Sequence, residues 1–87
     1  MTSSRVKPLA FEERDPDRPA KEAALRLMDG RELMRLYEVT RSAASEARKA
    51  GDMETLYPLA RGMKTIQRLA DERGLVIRAR RPRRNDA

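Results

Sequence analysis

The chain has 87 residues and a formal net charge of +6, and it contains neither cysteine nor histidine. This length suits one small domain, and the composition excludes a disulfide framework and the usual zinc sites, which need thiolate or imidazole ligands. The familiar nucleophile–base pairs are excluded with them, so we expect no enzyme, no cofactor and no small-molecule substrate. Because so short a chain buries only a modest core, we expect self-association or a bound partner to add stability.

The composition also bears on location. The N-terminal sequence MTSSRVKPLAFEERD lacks the apolar stretch of a secretory signal. The sequence contains no run of about 18 apolar residues that would read as a membrane span. We therefore expect a cytoplasmic protein that does not enter a membrane.

Basic residues are concentrated near the C-terminus. Residues 1–30 hold six basic and six acidic side chains, and residues 31–74 hold nine and seven. Residues 75–87 hold five arginines against one aspartate. The counts predict that the cationic character resides mostly in this tail.

The first part of the chain is predicted to be an arm followed by a short helix. Residues 1–16 are polar and aperiodic and contain two prolines, which is typical of a flexible arm. A helix at about 19–28 is indicated by Asp17 as N-cap and Pro19 in the first turn. Its expected core-facing stripe consists of Ala20, Ala23, Ala24, Leu27 and Met28.

Two longer helices are predicted next, at about 31–50 and 56–73. Asp29 and Glu32 have the spacing of a capping box, and Gly51 supplies a left-handed residue after the first of these helices. We place the start of the other at position 56 because Pro58 then falls in the first turn, with Thr55 as N-cap.

An apolar stripe at helical spacing follows both long helices, which favours an antiparallel hairpin over residues 31–73. The stripe is too long for this chain to cover alone. We therefore expect it to serve as an interface, with a second copy or with a partner's helices, through Leu33, Leu36, Tyr37, Leu56, Leu59, Met63, Ile66 and Leu69.

The helical domain is predicted to span residues 17–74 and to end at Gly74, with Leu75 making a Schellman-type contact. Residues 75–87 then form a basic tail, β-prone at its start and partly disordered beyond. Five arginines could neutralise DNA phosphates: Arg78, Arg80, Arg81, Arg83 and Arg84. The alternatives for this tail are a solubilising segment or a docking segment for an acidic protein.

Residues 32–49, ELMRLYEVTRSAASEARK, resemble a helix-turn-helix unit of the phage-repressor type. The resemblance implies that Thr40 caps a recognition helix from which Arg41, Ser42 and Ser45 face the major groove. The alternative is one uninterrupted helix within the hairpin. The backbone at 38–42 separates the two, since a helix-turn-helix needs a break there.

Residues 48–74, RKAGDMETLYPLARGMKTIQRLADERG, are also similar to the oligomerisation core of phage small terminase subunits. That resemblance implies helical hairpins that assemble into a ring.

Together these features predict an all-α protein with a short N-terminal helix, a helical hairpin and a basic tail. The favoured function is a non-enzymatic, nucleic-acid-associated protein of phage or mobile-element type that binds DNA and assembles through its hairpin. The alternative is a protein–protein adaptor or inhibitor whose hairpin docks a partner without nucleic acid.

Overall fold

The computed structural model describes residues 6–75, which form three helices: α1 (Arg18–Arg26), α2 (Gly30–Ala50) and α3 (Met53–Glu72). Helices α2 and α3 pack along their length as an antiparallel hairpin, and α1 packs against α3. No strand occurs within residues 6–75, so the all-α prediction is confirmed for this part of the chain.

The ends of α2 are fixed by local signals that the sequence predicted. The Asp29 carboxylate accepts from the Glu32 backbone N–H at 2.8 Å, and the Glu32 carboxylate accepts from the Asp29 N–H at 3.0 Å. This reciprocal arrangement is the capping box. At the other end Gly51 has a left-handed φ of 72°, which turns the chain directly into α3.

The start of α3 differs from the prediction, because the helix begins at Met53 and Pro58 lies inside it. The N-cap is Asp52 rather than Thr55. The Asp52 carboxylate accepts from the Thr55 N–H at 3.2 Å and from the Thr55 hydroxyl at 2.7 Å. Since Pro58 is still close to this end, it removes only one hydrogen bond to the preceding turn, and the strong cap offsets that loss.

The prediction that residues 1–16 form a flexible arm is wrong for the segment around Phe11, which packs across the hairpin. The Phe11 side chain has no exposed surface. The Phe11 N–H donates to the Pro58 carbonyl at 3.1 Å, and the Leu9 N–H donates to the Thr40 hydroxyl at 3.0 Å. Leu9 and Phe11 are large apolar residues in an otherwise polar segment, but the surface that they bind exists only once α2 and α3 have paired.

Polar contacts hold this segment to α1. The Lys21 ammonium lies 2.8 Å from the Asp15 carboxylate, and the Arg18 guanidinium stacks 4.4 Å from the centre of the Phe11 ring. The pKa of Asp15 is lowered to about 2, first by the hydrogen bond from Lys21 and then by the Asp17 backbone N–H. The ion pair between Asp15 and Lys21 therefore holds the acidic loop against α1.

Helix α1 faces the core with a different side from the one predicted. Leu25 is 2 % exposed and lies in the core, whereas Leu27 is 87 % exposed. The side that carries Leu25 also carries charged groups that pair with α3, and these pairs fix the orientation of the helix. Of the rest of the predicted stripe, Met28 packs on the core just after the helix, and the alanines are all exposed: Ala20, Ala23 and Ala24.

A network of ion pairs between two glutamates and three arginines links α1 to α3. Glu22 lies 3.0 Å from both Arg18 and Arg68 and 3.8 Å from Arg26. Arg26 and Arg68 each lie 3.4 Å from Glu72. Partial burial raises the pKa of Glu22, but the hydrogen bond from Arg18 and the charge of Arg68 outweigh it and lower the pKa overall.

Helix α3 ends as predicted. Gly74 has a φ of 77°, and the Leu75 N–H donates to the Ala70 carbonyl at 2.8 Å, which is the long bond of a Schellman motif. The Leu75 side chain reaches Gly30 and packs on the core. The predicted β-prone segment after Leu75 lies outside the described residues.

Candidate nucleic-acid interface

The backbone of α2 decides between the two alternatives for residues 32–49. The helix runs without interruption from Gly30 to Ala50, and residues 38–42 are helical throughout. The turn that a helix-turn-helix unit requires is therefore not formed. Thr40, expected to cap a recognition helix, is instead fully buried and donates its hydroxyl hydrogen to the Leu36 carbonyl at 2.7 Å.

Most of the residues predicted as an interface belong to the core of a single chain. The N-terminal segment and α1 cover the stripe that the hairpin was expected to share with a partner. Only two predicted interface residues, Leu56 and Met63, are half-buried at the surface. The others are buried and cannot form an interface without unfolding: Leu33, Leu36, Tyr37, Leu59, Ile66 and Leu69.

The three α2 residues predicted to meet DNA are all exposed. Arg41, Ser42 and Ser45 lie on the side of α2 that turns away from the core. Ser42 is shared by two shallow depressions, one along the first half of α2 and one between α2 and α3. These side chains are accessible, but they occupy the middle of an uninterrupted helix rather than the start of one.

The exposed side of α2 is strongly cationic, and we call it the cationic face. By helical periodicity Glu38 lies within this side and Glu46 lies at its edge, whereas Glu32 lies farther round the helix. The cationic face therefore carries more basic than acidic side chains, without excluding carboxylates. It comprises the exposed side chains of Arg31, Arg35, Arg41, Arg48 and Lys49.

A groove between α2 and α3 adjoins this face, and we call it the α2–α3 groove. Its floor is apolar: Ala44 comes from α2, and Leu56, Ala60 and Met63 come from α3. Its rims are polar and include no carboxylate. They are formed by Arg41, Ser42, Ser45 and Arg48 on one side and by Lys64 and Gln67 on the other.

The cations of this region are not neutralised by the protein. Within residues 6–75, the ion pairs lie in α1, in the loop before it and in α3, and none includes Arg41, Arg48 or Lys64. No described carboxylate thus lies within 4.0 Å of these three groups. Unpaired cations on one side of a small protein raise the local anion concentration and attract polyanions.

Leu75, the last described residue, lies near one end of the cationic face. Because Leu75 packs beside Gly30, the tail starts next to the end of α2 that carries Arg31 and Arg35. The arginines themselves lie outside the described residues: Arg78, Arg80, Arg81, Arg83 and Arg84.

Residues 6–75 do not form two other kinds of site. No group of three or more carboxylates there is placed to hold a metal ion. No helix in this part of the chain is long and apolar enough to cross a membrane. Comparison with known proteins gives no match to any protein-family model, curated protein or solved structure.

Proposed function

We propose that this protein is a non-enzymatic nucleic-acid-binding protein that contacts the phosphate backbone without reading sequence. The observation that carries the proposal is the cationic face of α2. On it, Arg31, Arg35, Arg41, Arg48 and Lys49 are exposed, and none of them is in an ion pair within residues 6–75.

The shape and chemistry of α2 fit a phosphate backbone. The helix has 21 residues and, at about 1.5 Å per residue, is about 30 Å long, which is comparable to one turn of duplex DNA. Arginine forks pair with phosphate oxygens, and serine hydroxyls such as those of Ser42 and Ser45 donate to them. Without a recognition-helix turn, these contacts would position the protein and leave the bases unread.

The tail extends the same electrostatic contact. Its five arginines follow Leu75, which lies at one end of the cationic face. Together the two regions could neutralise several phosphates, which makes affinity fall steeply with salt. Assembly through the buried hairpin stripe is not part of the proposal, because that stripe forms the core of one chain.

The test compares two double variants of the full chain that lose the same charge. Arg41→Gln with Arg48→Gln removes two cations of the cationic face. Arg14→Gln with Arg73→Gln removes two exposed cations elsewhere. Binding to two duplexes of unrelated sequence is measured by fluorescence anisotropy over a range of salt concentrations.

We expect the first pair to weaken binding to both duplexes equally and to lower the slope of log affinity against log salt by about two. The second pair should change the slope by clearly less. Absence of binding by the unmodified protein at low salt would overturn the proposal. Equal effects of the two pairs would show that net charge, rather than this face, is responsible.

A further inference from the structure

The two sides of the α2–α3 hairpin are unequally covered. On one side the backbone of Leu9 lies against Gly62, and the Phe11 side chain is fully buried between the hairpin and α1. On the other side is the α2–α3 groove, which no part of residues 6–75 covers. The half-buried Leu56 and Met63 form its floor with Ala60, so apolar surface remains open to solvent there.

The floor has the form that a third helix needs. Small residues, Ala44 on α2 and Ala60 on α3, leave a depression between the two helices. Leu56, Ala60 and Met63 recur at spacings of three and four, so they form a stripe along α3. An amphipathic helix lying in such a depression buries apolar residues at the same spacings, as in helix-in-groove recognition.

The basic residues on the rims indicate which charge a helix bound in the groove must carry. Arg41 and Arg48 are seven residues apart on α2 and therefore stand on the same side, about 10 Å apart along the axis. Lys64 stands on the opposite rim, and none of these cations has a carboxylate partner within residues 6–75. A helix with carboxylates on both flanks of its apolar stripe would satisfy both rims.

A second copy of this chain does not meet that requirement. Neither α1 nor α2 has more acidic than basic residues, and α3 has equal numbers of each. The tail after Leu75 is basic as well. Nucleic acid would pair with the rims but would leave the aliphatic floor of Leu56, Ala60 and Met63 without a matching group. The occupant is therefore a separate, acidic polypeptide.

We propose that the α2–α3 groove binds an acidic amphipathic helix of another protein. Its apolar stripe packs on Leu56, Ala60 and Met63, and its carboxylates pair with Arg41, Arg48 and Lys64. This surface goes beyond nucleic-acid binding and does not rest on it, because its floor plays no part in contacting phosphates.

The probe is a synthetic helical peptide of about 18 residues, with leucines along one side and glutamates on both flanks. One control peptide has the same composition in a shuffled order that destroys the stripe. A second control keeps the leucines and replaces the glutamates by lysines. Binding to the full-length protein is measured by isothermal titration calorimetry and anisotropy.

We expect the acidic amphipathic peptide to bind at least about tenfold more tightly than either control peptide. Met63→Gln in the floor should weaken this binding several-fold and leave duplex DNA binding unchanged. Arg41→Gln with Arg48→Gln should also weaken it, whereas Arg14→Gln with Arg73→Gln should not. Circular dichroism melting of each variant verifies that the hairpin is intact, and Ala60→Gln replaces Met63→Gln if that variant unfolds.

Three outcomes would overturn the proposal. The shuffled peptide could bind as tightly as the amphipathic one, which would reduce the effect to charge. A single-stranded oligonucleotide could bind with an affinity that Met63→Gln reduces, which would make the groove a nucleic-acid site. Sedimentation could show a dimer that Met63→Gln dissociates, which would make a second copy the occupant.

Discussion

Gly62 of α3 lies against the backbone of Leu9, and a Cβ at this position would lie 2.8 Å from the Leu9 carbonyl carbon. The neighbour is backbone, so it cannot move aside as the end of a flexible side chain could. Only glycine allows the N-terminal segment to cross α3 here. The hydrogen bonds from Leu9 to Thr40 and from Phe11 to Pro58 depend on that crossing.

The first prediction is that Gly62→Ala destabilises the protein. Alanine usually favours a helix over glycine by up to about 1 kcal/mol, but the clash with Leu9 should reverse the sign and cost about 1–3 kcal/mol. Gly30→Ala is the matched control, because its Cβ would make an ordinary contact at 3.5 Å with Leu75. Thermal melts that rank Gly62→Ala as stable as Gly30→Ala would contradict the observed crossing.

The second prediction concerns the orientation of α1. Leu25→Ala should cost about 2–5 kcal/mol, because the side chain is 2 % exposed in the core. Leu27→Ala makes the same chemical change in an 87 % exposed side chain and should change stability by less than about 0.5 kcal/mol. Urea unfolding of the two variants is the measurement. If Leu27→Ala were the more destabilising variant, α1 would face the core with the stripe that the sequence predicted.

The third prediction is that Asp52, rather than Thr55, caps α3. Asp52→Ala removes the acceptor for both the N–H and the hydroxyl of Thr55, and it should cost about 1 kcal/mol. Thr55→Ala keeps the backbone hydrogen bond and should cost less. Chemical denaturation of both variants measures the difference, and a larger loss for Thr55→Ala would place the start of the helix at position 56.

The local signals in the sequence were sufficient for the helix ends that depend on a few neighbouring residues. The Asp29–Glu32 capping box, Gly51 and the Gly74–Leu75 motif are all as predicted, because each is decided within one turn of chain. The start of α3 was predicted wrongly, because Pro58 was given more weight than Asp52, which is the N-cap. The surface that Phe11 binds was not predictable, since it is built from residues far away in the sequence.

The candidate site was partly predictable for the same reason. The sequence placed Arg41, Ser42 and Ser45 on a recognition helix that faces DNA; they are exposed, but on an uninterrupted helix, and their contact with DNA stays a prediction. The excess of basic residues on the exposed side of α2 was present in their spacing, but it did not show in charge counts over long stretches of sequence. That Lys64 faces Arg41 and Arg48 across a groove follows only from the packing of α2 on α3.

The fourth prediction follows from the low pKa of Asp15, which is about 2 in the folded protein against 3.8 in a model peptide. A carboxyl whose pKa is lower when folded stabilises the protein fully above its unfolded pKa. That stabilisation is lost as the pH falls from about 3.8 toward 2. Melting temperature should therefore decline across this window, and Asp15→Asn should decline less steeply because it has already lost the contribution.

Glu13→Gln is the control for this pH dependence, since Glu13 is an exposed carboxyl in the same loop. It should retain the decline of the unmodified protein between pH 4 and pH 2. If Asp15→Asn and the unmodified protein lose stability in parallel over this range, the ion pair between Asp15 and Lys21 does not contribute to folding.

The fifth prediction combines the two proposed binding surfaces, which share Arg41 and Arg48. Because phosphates and carboxylates would compete for these guanidinium groups, the acidic peptide should displace duplex DNA from the full-length protein. Met63→Gln weakens only the peptide, so it should shift the displacement curve to higher peptide concentration. Anisotropy of labelled DNA during peptide titration provides the measurement. If both ligands bind at once with unchanged affinities, the groove and the cationic face act independently, and Arg41 and Arg48 serve only one of them.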